Sequence, residues 1–162
     1  MRKALLVSAL QLALPLALSS CASTFIPNTD VPDNGGNRKV VAFCEEYRHA
    51  MEDKNVAKIL SLVSPRYHDD HATPQGADDT DYDSLKGTLA TLFTKTSQIR
   101  YEIRYQKVVF TENNHVLVNY RYSASYRTGT TETERGEWHH TVADNQLDLV
   151  PDGEGYKILA GM

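Results

Sequence analysis

The hydrophobic period of this chain changes once, from about 3.6 residues to 2, and the change falls between Thr96 and Ile99. Ahead of it, Val40, Val41, Phe43, Cys44, Tyr47, Ala50 and Met51 recur three and four residues apart, while Arg38, Glu45, Arg48, His49 and Glu52 fall mostly on the other side. That spacing predicts an amphipathic helix from Arg38, with Asn37 as its N-cap. Asp53-Lys54-Asn55 interrupts the pattern, and a second short helix over residues 56–63 stops at Ser64-Pro65, because proline pushes the preceding residue out of the helical region. A third helix is predicted with Asp83 as its cap and Leu85, Leu89, Leu92 and Phe93 on one face, ending near Thr96.

After the switch, Ile99, Tyr101, Ile103 and Tyr105 alternate with Arg100, Glu102, Arg104 and Gln106, the pattern of a half-buried antiparallel strand. The phase slips at Lys107, since Val108 and Phe110 take the apolar positions on even numbers, and this predicts a bulge or a strong bend. Glu112-Asn113-Asn114-His115 makes a turn. The next strand alternates Val116, Val118, Tyr120, Tyr122, Ala124 and Tyr126 against Leu117, Asn119, Arg121, Ser123, Ser125 and Arg127. A third strand over residues 135–150, bent near Asp144-Asn145, and a last one over residues 156–159 complete a meander. Helices followed by a long meander predict an α+β domain with helices covering one face of a curved antiparallel sheet.

The first twenty residues have a separate logic. Arg2 and Lys3 precede an apolar run from Ala4 to Leu18 that contains Gln11 and Pro15. A spanning helix needs roughly 20 apolar residues, so the run reads as a signal segment. The residues Leu18-Ser19-Ser20-Cys21 resemble the lipobox of bacterial lipoproteins. That resemblance implies cleavage before Cys21, a diacylglyceryl group on its thiol and an acyl chain on the new amine, with palmitate as a representative chain. Several chains on one residue hold a protein permanently where a single chain is marginal. In a cell with two membranes, Ala22 after the cysteine resembles the signal that sends lipoproteins to the outer membrane, facing the periplasm.

Cleavage before Cys21 leaves 142 of the 162 residues, one domain, and loss of Arg2 and Lys3 takes the formal charge from −4 to −6. An acidic chain without a basic stripe is a poor partner for nucleic acid. With lipid on Cys21, Cys44 has no disulfide partner and is expected as a buried core residue. Residues 21–37 hold Pro27, Pro32, Gly35, Gly36 and several Asn and Asp, with little to bury after Phe25 and Ile26, and read as a flexible tether. The domain then occupies residues 38–162.

The order of elements from Arg38 to Met162 resembles the nuclear transport factor 2 family, the cone-shaped fold shared with ketosteroid isomerases and SnoaL-like cyclases. The residues that carry the likeness are Phe43, Tyr47 and Ala50 with Asp53-Lys54-Asn55-Val56, then Ile59 and Leu62, then Leu147, Leu149 and the closing Asp152-Gly153 with Gly155-Tyr156-Lys157-Ile158. The resemblance implies a pocket in which a carboxylate or histidine after the second helix, here Asp69, Asp70 or His71, works with Tyr47 from the first. A carboxylate would move a proton and a phenol would bind the developing oxyanion. It also allows a homodimer across the open sheet face. The acidic residue followed by proline that marks the isomerases is missing here, since Ala72-Thr73 precede Pro74.

Other constellations are weaker. His68-Asp69-Asp70-His71 has metal-ligating chemistry, but alternate residues of an extended segment diverge. Asp79, Asp81 and Asp83 imitate the start of a calcium loop, yet Ser84 stands where the loop needs glycine and Ala90 where it needs glutamate. No metal and no cofactor are expected. The chain has 9 Tyr against 4 Phe, and Tyr101, Tyr105, Tyr120 and Tyr122, with Trp138, could wall a pocket for an apolar ligand or simply pack under the helices. The function expected on these grounds is a membrane-anchored lipoprotein whose domain binds a small ligand or an envelope protein without catalysis. The alternative is an isomerase, dehydratase or cyclase using Tyr47 with Asp70 or His71.

Overall fold

The structure is a computed structural model of the chain and describes residues 24–70, 79–129 and 136–162. Cys21 and Ala22, with the signal segment, and His71 lie outside the described residues. The elements in chain order are α1 (Gly35–Glu52), α2 (Val56–Leu62), β1 (His68–Asp69), β2 (Thr80–Asp81), α3 (Tyr82–Lys95), β3 (Thr96–Phe110), β4 (Val116–Thr128), β5 (Trp138–Asp152) and β6 (Gly155–Ala160). β3 to β6 form one antiparallel sheet in sequence order, and β1 pairs with β2 in a second, two-stranded sheet. The helices pack on one face of the curved larger sheet, as the change of period predicts.

α1 buries Val40, Val41, Phe43, Cys44, Tyr47 and Ala50, the stripe read from the sequence, and begins three residues before Arg38. Its N-cap is Asn34, whose side chain accepts the Asn37 N–H at 2.9 Å, rather than Asn37 itself. Asn37 is buried and its side-chain amide donates to the Pro32 carbonyl at 2.8 Å. α3 is likewise capped two residues earlier than expected, by Asp81 rather than Asp83, in a reciprocal box with Ser84.

The tether expectation is corrected over residues 24–34, which fold onto the domain. Val31 is 0% exposed, Phe25 bridges Pro32, the Ile26 N–H donates to the Val31 carbonyl at 3.0 Å, and the Asp30 N–H reaches the Tyr105 carbonyl at 2.9 Å. Asp30 also clamps Arg104 through two oxygens, and Asp33 pairs with Arg38. One valine in the core and a row of main-chain bonds outweigh a polar, proline-containing composition.

The slip at Lys107 is a register shift between Tyr105 and Lys107. Beyond it Phe110 lies over Gly36, where a Cβ would sit 3.4 Å from its ring. β5 pairs with β4 without a register shift past Asp144-Asn145, and its register against β6 shifts between Asp148 and Leu149. The core is gathered at one end of the sheet, where Tyr101, Tyr105, Val116, Val118, Tyr120, Leu147, Leu149 and Ile158 meet α1 and α2. At the other end Tyr122, Ala124 and Tyr126 are only half-buried. No described helix is long and apolar enough to cross a membrane.

Candidate functional site

Two consecutive turns of α1 present Tyr47 and Met51, and two of α3 present Leu85 and Leu89, so four-residue spacing on each helix brings these side chains to one place. Between them opens a cavity of about 180 Å³, completed by Tyr67, Thr80, Thr88, Leu92 and Met162. It has room for several waters or a small organic molecule, and it is smaller than the ~300–1,000 Å³ of common ligand pockets. Its wall is mostly apolar, with phenol and threonine hydroxyls as the polar groups.

Tyr47 is 2% exposed and stands edge-on to Tyr101, ring centroids 6.3 Å apart and planes at 90°. Burial first, and then the neighbouring phenols of Tyr101 and Tyr120, push its hydroxyl well above the ordinary tyrosine range. It is therefore a neutral hydrogen-bond donor and not a base.

The acid beside the cavity is Asp69, 9% exposed, whereas Asp70 is exposed to solvent. On β1 successive side chains alternate, with His68 outward and Asp69 inward. The Tyr67 hydroxyl donates to Asp69 Oδ2 at 3.2 Å, and the Gly161 N–H donates to the same oxygen at 2.9 Å. Burial, the Asp69 charge and that hydrogen bond raise the Tyr67 hydroxyl above its usual range, opposed by a main-chain hydrogen bond with Met162. Tyr67 thus stands in the cavity wall with Asp69 behind it. The structure brings Tyr47 and the Tyr67–Asp69 pair to one end of the domain and leaves Asp70 out. Tyr67, Asp69 and Leu89 share no motif, although the buried–exposed alternation from Tyr67 to Asp69 could have singled out Asp69 over Asp70.

The tyrosine wall is mostly packing. Tyr101 and Tyr122 lie 5.5 Å apart and Tyr120 and Tyr122 6.3 Å apart, at tilted angles within the core, and none of the three lines the cavity. Burial is the first cause raising the Tyr101, Tyr105 and Tyr120 hydroxyls. Tyr105 donates to Glu45 Oε1 at 2.8 Å and faces a different groove. Trp138 is corrected as a pocket residue: it is paired with Arg127 in the register that places it on the outer face, 48% exposed, with the Arg100 guanidinium 5.7 Å from its ring. Tyr126 and His139 stack at 5.0 Å on the inner face, while His140 bonds Ser125 on the outer one. Among the described residues no three His, Cys, Asp or Glu side chains are grouped to hold a metal ion.

No protein-family model matches the chain, and no curated protein does. Solved structures do. A candidate scytalone dehydratase from Novosphingobium aromaticivorans superposes with a TM-score of 0.66 at 15% identity, over 78% of this chain and 80% of that one. A candidate dehydratase of the nuclear transport factor 2-like family from Streptomyces avermitilis gives 0.61 at 14%, over 77% and 92%. A protein of Bdellovibrio bacteriovorus gives 0.60 at 16%, over 77% of this chain and only 40% of that longer one. These likenesses define the fold as nuclear transport factor 2-like, a cone of helices on a curved sheet. At such identities they define the fold alone.

Proposed function

We propose that this protein is a lipid-anchored binding module of the cell envelope, whose cone cavity takes a small apolar ligand bearing a hydrogen-bonding group, without catalysis. The carrying observation is the engagement of Asp69: its Oδ2 holds Tyr67 and Gly161, and the carboxylate is not part of the cavity wall. A general base has to reach the proton it removes. The phenol of Tyr47, neutral and half of a buried aromatic pair, suits hydrogen bonding to a ligand rather than proton transfer.

The anchor rests on Leu18-Ser19-Ser20-Cys21. Packing of residues 24–34 sharpens its consequence, because Cys21 is then three residues from the folded domain and a chain spans at most ~3.6 Å per residue. The domain would sit against the bilayer, at the periplasmic face of an outer membrane where there is one. A second copy across the outer sheet face is the companion proposal, supported by Trp138 and Val142, 48% and 54% exposed; the sedimentation mass of the wild type against Trp138→Glu tests it.

Two superposable structures are described as dehydratases, and that supports the competing reading, in which Asp69 is the acid–base group. Titration with p-cresol, followed by NMR, separates the two. Binding is expected to shift signals of Tyr47 and Leu89 and to be lost on filling the cavity with Leu89→Trp. Turnover of a dehydratase or isomerase substrate that disappears in Asp69→Asn, with the fold retained, would sink the binding-module reading. For the anchor, Cys21→Ala is expected to abolish labelling by radioactive palmitate and leave folding intact; persistent labelling would refute it.

A further inference from the structure

The outer edge of β3 carries a second concavity of about 510 Å³, separate from the cone cavity and walled by the turn at residues 27–29, by α1 and by the strand itself. In an antiparallel ladder the main-chain groups of alternate residues point toward the partner strand or away from it. Tyr101 points away, since its N–H donates to Glu52 Oε1 at 3.0 Å and its carbonyl accepts from Arg48 at 3.4 Å. Tyr105 also points away, its carbonyl accepting the Asp30 N–H at 2.9 Å. Ile103 stands between them and lines the groove, so its N–H and C=O open into it. Among the described residues neither group is taken by a side chain or by the turn.

The charges around this opening are unbalanced. Glu45 receives the Tyr105 hydroxyl and the Arg48 Nε, both at 2.8 Å, and Arg48 also bonds Glu52 at 2.7 Å. Of the described residues lining the groove, Glu45 and Glu102 are acidic and Arg48, already shared with Glu52, is the one basic group, a formal −1.

We propose that the β3 edge at Ile103 binds one residue of an extended peptide that carries a basic side chain. The guest N–H donates to the Ile103 carbonyl, the guest carbonyl accepts the Ile103 N–H, and its cation lies beside Glu45 and Glu102. The chain already uses this edge in the same way one step along, where Asp30 bonds Tyr105. Asp30 on one side and the Glu52–Arg48 pair on the other limit the register to a single guest residue. A strand of ordinary length is excluded.

The test titrates N-acetyl-lysine N′-methylamide into the full-length, isotopically labelled protein while the Ile103 amide is followed by NMR. That amide is expected to shift and to exchange more slowly, with binding roughly tenfold tighter than for the N-acetyl-glutamate N′-methylamide. Glu102→Gln, an exposed change, is expected to weaken the lysine compound roughly threefold. Leu89→Trp is expected to leave it unchanged, so failure of the cavity proposal does not touch this one. An Ile103 amide unmoved at the solubility limit, or equal binding of both compounds, would overturn the proposal.

Discussion

Asp69 is the shared acceptor of two donors, the Tyr67 hydroxyl and the Gly161 N–H. Removing it in Asp69→Ala leaves the Gly161 N–H and the Tyr67 hydroxyl without their shared acceptor. A buried donor left unmade costs about 1–3 kcal/mol, so urea unfolding is expected to show a loss of that size, with Asp69→Asn recovering part of it. The tyrosines make a second prediction. Tyr47, Tyr67, Tyr105 and Tyr120 have hydroxyls raised above their ordinary 10.0, burial being the first cause in each. A raised folded pKa favours the neutral form, so the stability these groups contribute is fully present below pH 10 and is lost as pH rises through the higher folded values. Thermal melts across pH 8 to 12 are expected to be flat at the low end and to fall steeply beyond about 10. Cys44, 0% exposed with its thiol pushed up by burial, is expected to resist a thiol reagent in the native state and react on unfolding.

Among the elements, the N-terminal segment departs furthest from its composition. Pro27, Asn28, Asp30, Pro32 and the two glycines read as a linker because each residue, taken alone, disfavours regular structure. Regular structure is not what holds it. Asn28 adopts a left-handed φ of 62°, Thr29 Oγ1 accepts the Val31 N–H at 3.0 Å, and the resulting turn delivers Val31 into the core. Val31→Ala removes two buried methyl groups and is expected to cost about 2 kcal/mol, whereas a valine in a free linker would cost nothing. The helix start makes a parallel case. Asn34→Ala is expected to cost about 1 kcal/mol through loss of the cap on the Asn37 N–H, while Asn37→Ala would act through its bond to Pro32. Denaturant midpoints of these variants, ranked against wild type, check both claims.

For the whole molecule, on the proposed anchor at Cys21, the packing of residues 24–34 would set how far the domain stands from a membrane. With residues packed from Thr24 onward, a spacer of ten Gly-Ser residues inserted after Ser23 is expected to leave the melting temperature unchanged and, on the proposed anchor, to increase protease access to the side that would face the bilayer. Deletion of residues 24–33 is expected to lower the melting temperature by several degrees, since a loss of 1 kcal/mol shifts a domain of this size by about 2–8 °C. Equal melting temperatures for wild type and deletion would restore the tether.

Local spacing determined most of the architecture: the 3.6-residue stripe of α1, the four-residue pairs of α3, the alternation of β3 and β4 and the bulge near Lys107 are each written in neighbouring residues. The family resemblance, rather than spacing, implied Tyr47 and the acidic run after α2 as site candidates. The alternation from Tyr67 to Asp69 favours Asp69 over Asp70, but the partner that engages it, Gly161, lies 92 residues away and is visible only in the fold. Nor could spacing show that residues 24–34 pack, that Trp138 faces outward against Arg100, or that Ile103 opens its main chain into an acidic groove. Those outcomes depend on which groups distant segments bring within hydrogen-bond reach, and only the folded chain brings them there.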